Sequence, residues 1–197
     1  MRIRKKKLWI IGAGNHAKSV AQLLIEKGTY QILGFYDSIS GEEKCMGLPI
    51  IRKIENMELN DKKGVVIAVG NNYDRMKLVE KVLHIFPNHS NFPIVIHPSA
   101  VISKDSILNA GSIILANTIV GRKARTGEFS LINNGAQLDH DSNLGPFSSL
   151  APGSIVAGNV NIGKLSAVGI GSVVMNGLTL GNNCQLGSYS FLNENME

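Results

Sequence analysis

Residues 150–191 read LAPGSIVAGNVNIGKLSAVGIGSVVMNGLTLGNNCQLGSYSF, and every sixth position is aliphatic: Leu150, Val156, Ile162, Val168, Val174, Leu180 and Leu186. The same step runs back without insertion through Leu144, Leu138, Ile132, Thr126, Val120, Ile114, Leu108 and Ile102 to Ile96. Of these sixteen hexads, fifteen lead with an aliphatic residue. Four positions after each lead stands Ala, Ser, Thr, Val or Cys, with Leu178 the one large exception. A strand alternates with period two and a helix with period 3.6, so neither sustains a period of six. Short parallel strands joined by sharp corners do, which makes the run a solenoid. Three hexads close a triangular coil of 18 residues, and sixteen give five coils and one further side. The leads point inward and the small residues allow the corners. Thr126, polar at an inward position, has no explanation in the sequence.

Before the repeat, a short apolar run at 7–11 ends in Gly12-Ala13-Gly14-Asn15-His16-Ala17, and an amphipathic stretch with Val20, Leu23 and Leu24 follows. Glycines at a strand-to-helix turn permit close backbone approach, and the helix N-terminus offers free N–H groups to phosphate. A second apolar run, 32–36, ends in Asp37, 20 residues past Ala17, where a ribose-binding carboxylate sits in a dinucleotide fold. A third strand is expected at 65–69, then Gly70-Asn71-Asn72 and a helix from Asp74 to Leu83. Residues 48–51 read as a further extended piece, and 41–47 as an exposed loop. A dinucleotide domain needs two mononucleotide halves, and only one fits before residue 95. This unit therefore suits one nucleotide, NAD being the lesser reading and a purely structural cap a third. The segment 84–93, with Pro87 and Pro93, marks the boundary, giving domains 1–93 and 94–197. His84 and His89 in it are expected to face solvent.

Across 197 residues the chain is 44% hydrophobic and 18% charged, which excludes a disordered chain; aromatics are only 6%, as a core of repeated Ile, Val and Leu implies. The net charge of +5 comes largely from Arg2, Arg4, Lys5, Lys6 and Lys7, read as a solvated arm. No basic stripe with interleaved aromatics follows, so nucleic acid is not an expected partner. A mildly basic protein suits a small polyanion such as CoA or a nucleotide sugar. Cys45 and Cys184 form neither a disulfide framework nor a metal spacing, and Cys184 reads as core. The apolar run after Lys7 is too short for a signal peptide, and no membrane-spanning segment is expected; the environment reads as cytoplasmic and reducing.

The hexads Ile-Gly-Lys-Leu-Ser-Ala (162–167) and Leu-Gly-Asn-Asn-Cys-Gln (180–185) resemble the signature of the left-handed β-helix acyltransferases. With Gly12–Ala17, Ala-Val-Gly-Asn-Asn (68–72) and Ile-His-Pro-Ser-Ala (96–100), the chain resembles the sialic-acid O-acetyltransferase and nucleotide 4-amino-sugar N-acetyltransferase group, of bacillosamine- and perosamine-pathway type. The resemblance implies a Rossmann-like α/β subdomain followed by a left-handed parallel β-helix of about five coils. It implies a homotrimer that uses acetyl-CoA to acetylate a nucleotide-linked 4-amino-4,6-dideoxy sugar in bacterial surface-glycan biosynthesis, without a metal.

By the same resemblance His140 is the general base, with Asp141 orienting it and Asp139 as rival. A neutral imidazole suits such work near neutral pH. Asn133, one hexad upstream and near the same edge, would position the acceptor. Gly14, Asn15, His16 and Asp37, with Gly70, Asn71, Asn72 and Arg75, would bind the nucleotide sugar, and His16 could reach the reacting group. Acetyl-CoA would meet Ser149, Gly158, Ile170 and Gly187, with Gly158 offering an N–H to the tetrahedral oxyanion. His97 is expected to be structural. The family usually continues past the last coil with a strand and a short tail, so a chain stopping at Glu197 is expected either to weaken contacts to the CoA adenine or to cap its last coil less well. O-acetylation of a sialic-acid-type sugar and a non-catalytic scaffold are the alternatives. A zinc hydratase on the same prism needs three converging histidines, and the repeat holds only His97 and His140.

Overall fold

The computed structural model describes residues 5–60, 62–88 and 91–197. Arg2, Arg4 and His89 lie outside the described residues. The chain forms two compact units, Met1–Pro93 and Ile94–Glu197.

The first unit runs β1 (Lys6–Ile11), α1 (Asn15–Lys27), β2 (Tyr30–Tyr36), β3 (Lys44–Cys45), β4 (Leu48–Ile51), a 3-10 turn (Ile54–Met57), β5 (Lys63–Ile67) and α2 (Asn72–Ile85). Its sheet has the order β3-β4-β2-β1-β5, with β4, β2, β1 and β5 parallel. Parallel strands are covered on both faces and so read as continuous apolar runs, as Leu8–Ile11 and Val65–Ile67 do. Helix α1 buries Ala17, Val20, Ala21 and Leu24, one stripe at helical spacing, and ends at Gly28 with φ +69°.

Three sequence expectations shift here. The third strand ends at Ile67 rather than Val69, because Ala68–Gly70 already form the turn into α2. That helix starts at Asn72, two residues early, since the Asn71 side chain caps it by accepting the Asp74 N–H at 3.0 Å. The segment 41–47 is not wholly loop: Lys44–Cys45 pairs antiparallel with β4 across Met46-Gly47, both at positive φ, a tight hairpin the sequence reading missed.

The second unit is a left-handed β-helix. Its described residues hold seventeen two-residue strands, from β6 (Val95–Ile96) to β22 (Phe191–Leu192), in three parallel sheets of six, six and five. Partners stand 18 residues apart throughout, as Ile119 with Gln137 and Ile155 with Val173. The strand count exceeds the sixteen hexads by one, because buried Leu192 continues the register past Leu186. Leads from Val120 to Leu192 form one core, into which Leu178 also packs. Fully burying each such side chain is worth about 1.5–3 kcal/mol.

The small fourth position turns out to be chemical as well as steric. Ser142, Ser148, Ser166 and Ser172 are buried, and each hydroxyl donates to a carbonyl of the next coil: Ala157, Gly163, Gly181 and Gly187. Each also accepts an N–H from the residue 18 further on, Val160, Ser166, Cys184 and Ser190. Buried corner amides are thus satisfied from within the prism. Thr126 belongs to the same system: its hydroxyl accepts the Asn109 N–H at 3.2 Å and lies 3.1 Å from the Ser112 hydroxyl.

The last coil is capped, against expectation. Met196 forms a bridge with Leu180, its carbonyl accepts the Gly181 N–H at 2.6 Å, and Asn195 Oδ1 accepts the Thr179 N–H. The final residues thereby close the open sheet edge.

Candidate functional site

In the first unit the C-terminal ends of β1, β2 and β5 converge, the place where open parallel sheets bind ligands. A cavity of about 380 Å³ opens there, lined among others by Gly12, Asp37, Ser38, Val69, Asp74 and Lys77. Gly12 has φ +101°, and a Cβ on it would stand 2.8 Å from the Ala68 carbonyl, so the turn admits no side chain. Asp37 binds this turn to β2: its Oδ2 accepts the Ala13 N–H at 3.0 Å, and its Oδ1 accepts those of Ile39 and Ser40, both at 2.9 Å. Burial pushes the Asp37 carboxyl up, but those N–H groups and the nearby Arg52 outweigh it and hold it below the usual aspartate value.

Several residues expected to touch substrate are spoken for by the fold. Arg75 is drawn inward, 1% exposed, and its guanidinium donates to the carbonyls of Val69 and Gly70 and to Asn72 Oδ1. Burial lowers it to about 10, so it stays charged at neutral pH. The expected ligand contact is thus an internal clamp on the Gly70–Asn72 loop, and Asn71 is that loop's helix cap. Gly14 and Gly70 have open space where a Cβ would be. Asn15 opens α1, where its carbonyl accepts the Ser19 hydroxyl. His16 stands beside it with Nε2 buried and unpartnered among the described residues. Burial, and then the charge of Arg75, lowers the His16 pKa. Ser38, Asp74 and Lys77 of the cavity were missed; the i, i+3, i+4 spacing of Asp74, Lys77 and Leu78 on α2 was the available signal.

In the second unit His140 and Asp141 occupy the corner after strand Gln137–Leu138. Asp141 has φ +56°, the left-handed conformation that turns the chain. Its Oδ2 lies 3.0 Å from His140 Nδ1, whereas Asp139 Oδ1 accepts the backbone N–H of His140 at 2.6 Å. Of the two flanking acids, Asp141 is the one that meets the ring. With Nδ1–H donating to the carboxylate, the lone pair lies on Nε2. One coil on, Gly158 is buried against the far edge of the ring, where a Cβ would stand 2.4 Å from Nε2. The Gly158 N–H has no partner among the described residues, and its carbonyl accepts the Asn176 side-chain amide at 2.7 Å. One coil back, Arg122 reaches Asp141. Both Arg122 and Asn176 went unseen in the sequence, although each lies 18 residues from a residue already singled out.

The other expected contacts divide between corners. Asn133 belongs to the corner before Gln137–Leu138, at the opposite end of that strand from His140, so the two do not share an edge. Its Oδ1 accepts the Asn134 N–H. Ser149, on the strand Ser149–Leu150, and Ile170 and Gly187, in the corners of the same sheet, follow that other edge. Within one chain Gly158 is thus the only expected acetyl-CoA contact at the His140 corner. His97 is bound locally, with Nδ1 2.8 Å from the Ser99 hydroxyl. Among the described residues no three His, Cys, Asp or Glu side chains cluster as metal ligands, and no helix is long and apolar enough to cross a membrane.

Residues 7–82 match the family model of the PglD N-terminal domain. The acetyltransferase domain of PglB from Neisseria gonorrhoeae FA1090, in complex with acetyl coenzyme A, is 30% identical, with 96% of this chain and 93% of that one covered and a TM-score of 0.85. A His-to-Asn mutant of perosamine N-acetyltransferase from Caulobacter crescentus, in complex with CoA and GDP-perosamine, is 28% identical, with 96% and 90% covered and a TM-score of 0.85. UDP-N-acetylbacillosamine N-acetyltransferase of Bacillus subtilis (strain 168) is 28% identical over 115 residues, which span 56% of this chain and about half, 52%, of that protein. A nucleotide-sized α/β unit, an 18-residue prism and a corner His–Asp pair thus coincide with similarity over nearly the whole chain, and the chain belongs to the hexapeptide-repeat acetyltransferases of the PglB, bacillosamine and perosamine group.

Proposed function

We propose that this chain transfers the acetyl group of acetyl-CoA to the amine of a nucleotide-linked 4-amino-4,6-dideoxy sugar. The observation that carries the reading is the His140–Asp141 pair, with Nδ1 on the carboxylate and Nε2 facing Gly158. Nε2 takes the proton of the sugar amine as its nitrogen attacks the thioester carbonyl. The Gly158 N–H receives the developing oxyanion, and Asp141 stabilises the imidazolium. Collapse of the tetrahedral intermediate breaks the C–S bond and leaves the amide and CoA thiol, the proton passing from His140 to the departing sulfur.

The cavity beside Asp37 and Lys77 supports a nucleotide as the handle. Gly14, Asn15, His16, Asp37 and the Gly70–Asn72 loop remain the proposed acceptor contacts, with Arg75 acting through that loop. Ser149, Ile170 and Gly187 remain proposed contacts of acetyl-CoA, bound between copies of the chain in a homotrimer. An apolar row on one prism face, broken only by Gln137, supports that assembly: Val101, Ile119, Ile155 and Phe191 point outward, Val101 and Phe191 more than 60% exposed. The buried free thiols Cys45 and Cys184 suit a reducing, cytoplasmic setting.

The test is a screen of UDP-, dTDP- and GDP-linked 4-amino sugars with acetyl-CoA, following thiol release, with free sialic acid as a further arm. Turnover with one or more amino-sugar nucleotides is expected. Turnover with sialic acid alone would replace the reading by O-acetylation.

A further inference from the structure

Arg122 stands one coil before His140 in the same column of corners. Its carbonyl accepts the Asp141 N–H at 2.8 Å, and its Nη2 lies 3.0 Å from Asp141 Oδ2. That oxygen is the one His140 Nδ1 meets, also at 3.0 Å. A single carboxylate oxygen is therefore held from two sides, by the guanidinium below and the imidazole beside it. The other acids of these corners do other work: Asp139 caps the His140 amide, and Asp105 accepts the Lys123 N–H. On the far side Gly158, Asn159 and Asn176 are uncharged.

The chemistry asks for this restraint. A free histidine side chain favours the proton on Nε2, which would remove the lone pair that a base at Nε2 needs. Asp141 reverses the preference only while its oxygen stays opposite Nδ1. Asp141 lies at a corner and is about one-third exposed, so strand pairing does not fix its side chain. We propose that Arg122 is a positioning residue: it anchors Asp141 Oδ2 and through it holds His140 in the Nδ1–H tautomer. The inference rests on His140 being the base of the acetyl transfer. It concerns a group 56% exposed, so its effect is moderate and its removal leaves the fold intact.

The test compares wild type with Arg122→Gln and Arg122→Lys in two measurements. Nitrogen NMR of 15N-histidine-labelled protein above neutral pH reads the tautomer without any turnover. Wild type is expected to show the Nδ1–H pattern for His140, and Arg122→Gln a mixture weighted toward Nε2–H. In thiol-release kinetics Arg122→Gln should lose about two- to fivefold in kcat with both KM values unchanged. Arg122→Lys, which keeps the charge but not the fork, should recover part of the kcat. A wild-type nitrogen pattern in Arg122→Gln overturns the inference, and so does an unchanged kcat. If wild type releases no thiol with any acceptor, the functional reading fails, while the nitrogen spectrum still decides whether Arg122 sets the tautomer.

Discussion

A Cβ on Gly158 would stand 2.4 Å from both Cε1 and Nε2 of His140. The two residues are one coil apart in one column, so the glycine is the floor against which the imidazole rests. The floor is itself tied down, because the Gly158 carbonyl accepts from both the Asn176 amide and the Gly177 N–H. Gly158→Ala must therefore push the ring aside. A displacement of about 1 Å at a reacting group can cost on the order of 10²-fold. Gly158→Ala is expected to lower kcat by about that factor with little change in the thermal midpoint, measured by thiol release and by calorimetry.

The two acids flanking His140 should separate cleanly. Asp141→Asn can place an amide N–H against Nδ1, forcing the proton onto Nε2 and removing the base; kcat should fall by about 10²-fold or more. Asp139→Asn still offers a side-chain oxygen to the His140 amide and should retain activity within a fewfold. Equal losses in the two variants would mean that neither contact with His140 is special.

The period of six was enough to find the prism, because the lead position recurs sixteen times at one spacing and nothing long-range has to be known. Thr126 is where that stops. Its hydroxyl is used by Asn109 and Ser112, 17 and 14 residues away, partners that exist only once coils stack. Arg122 and Asn176 were within reach of the same arithmetic, since adding or subtracting 18 from His140 and Gly158 finds them. Arg75 was not: helix spacing places it near the loop, but only packing decides that its guanidinium turns inward. The test of the inner network is Thr126→Val, which keeps the shape and strands the Asn109 N–H. A loss of about 1–3 kcal/mol in denaturant unfolding is expected. Leu138→Ala, a pure cavity in the same core, should cost about 2–5 kcal/mol. A neutral Thr126→Val would show that water serves Asn109 equally well.

His16 makes the first unit sensitive to mild acid. Burial and the Arg75 charge lower its pKa in the fold, so between the folded value and the ordinary one of about 6.5 the unfolded chain binds the extra proton. Stability is therefore whole above that ordinary value and drains as pH falls through the window toward the lower folded value. His16→Gln removes the titration. Urea midpoints at pH 8 and pH 5.5 should differ more in wild type than in the variant, and parallel midpoints would refute the linkage.

The outward row Val101, Ile119, Ile155 and Phe191 lies on one sheet, whereas the sheet beginning at Ile107–Leu108 presents Arg125, Asn143, Asn161 and Thr179 at the same height. Only Gln137 interrupts the apolar face, whereas its neighbour is polar beyond Ile107, the asymmetry expected when one face meets other copies. Ile119→Glu and Ile155→Glu place carboxylates in the middle of that row. They leave the inward leads Val120 and Val156 untouched, so each prism should still fold. Light scattering should give three chains for wild type and a shift toward one chain in the double variant. Thiol release should fall with the mass, since Ser149, Ile170 and Gly187 follow a different edge from His140 within one chain and, in the proposed assembly, would come to it from a neighbouring copy. A double variant that is monomeric yet fully active would place the whole site in a single chain.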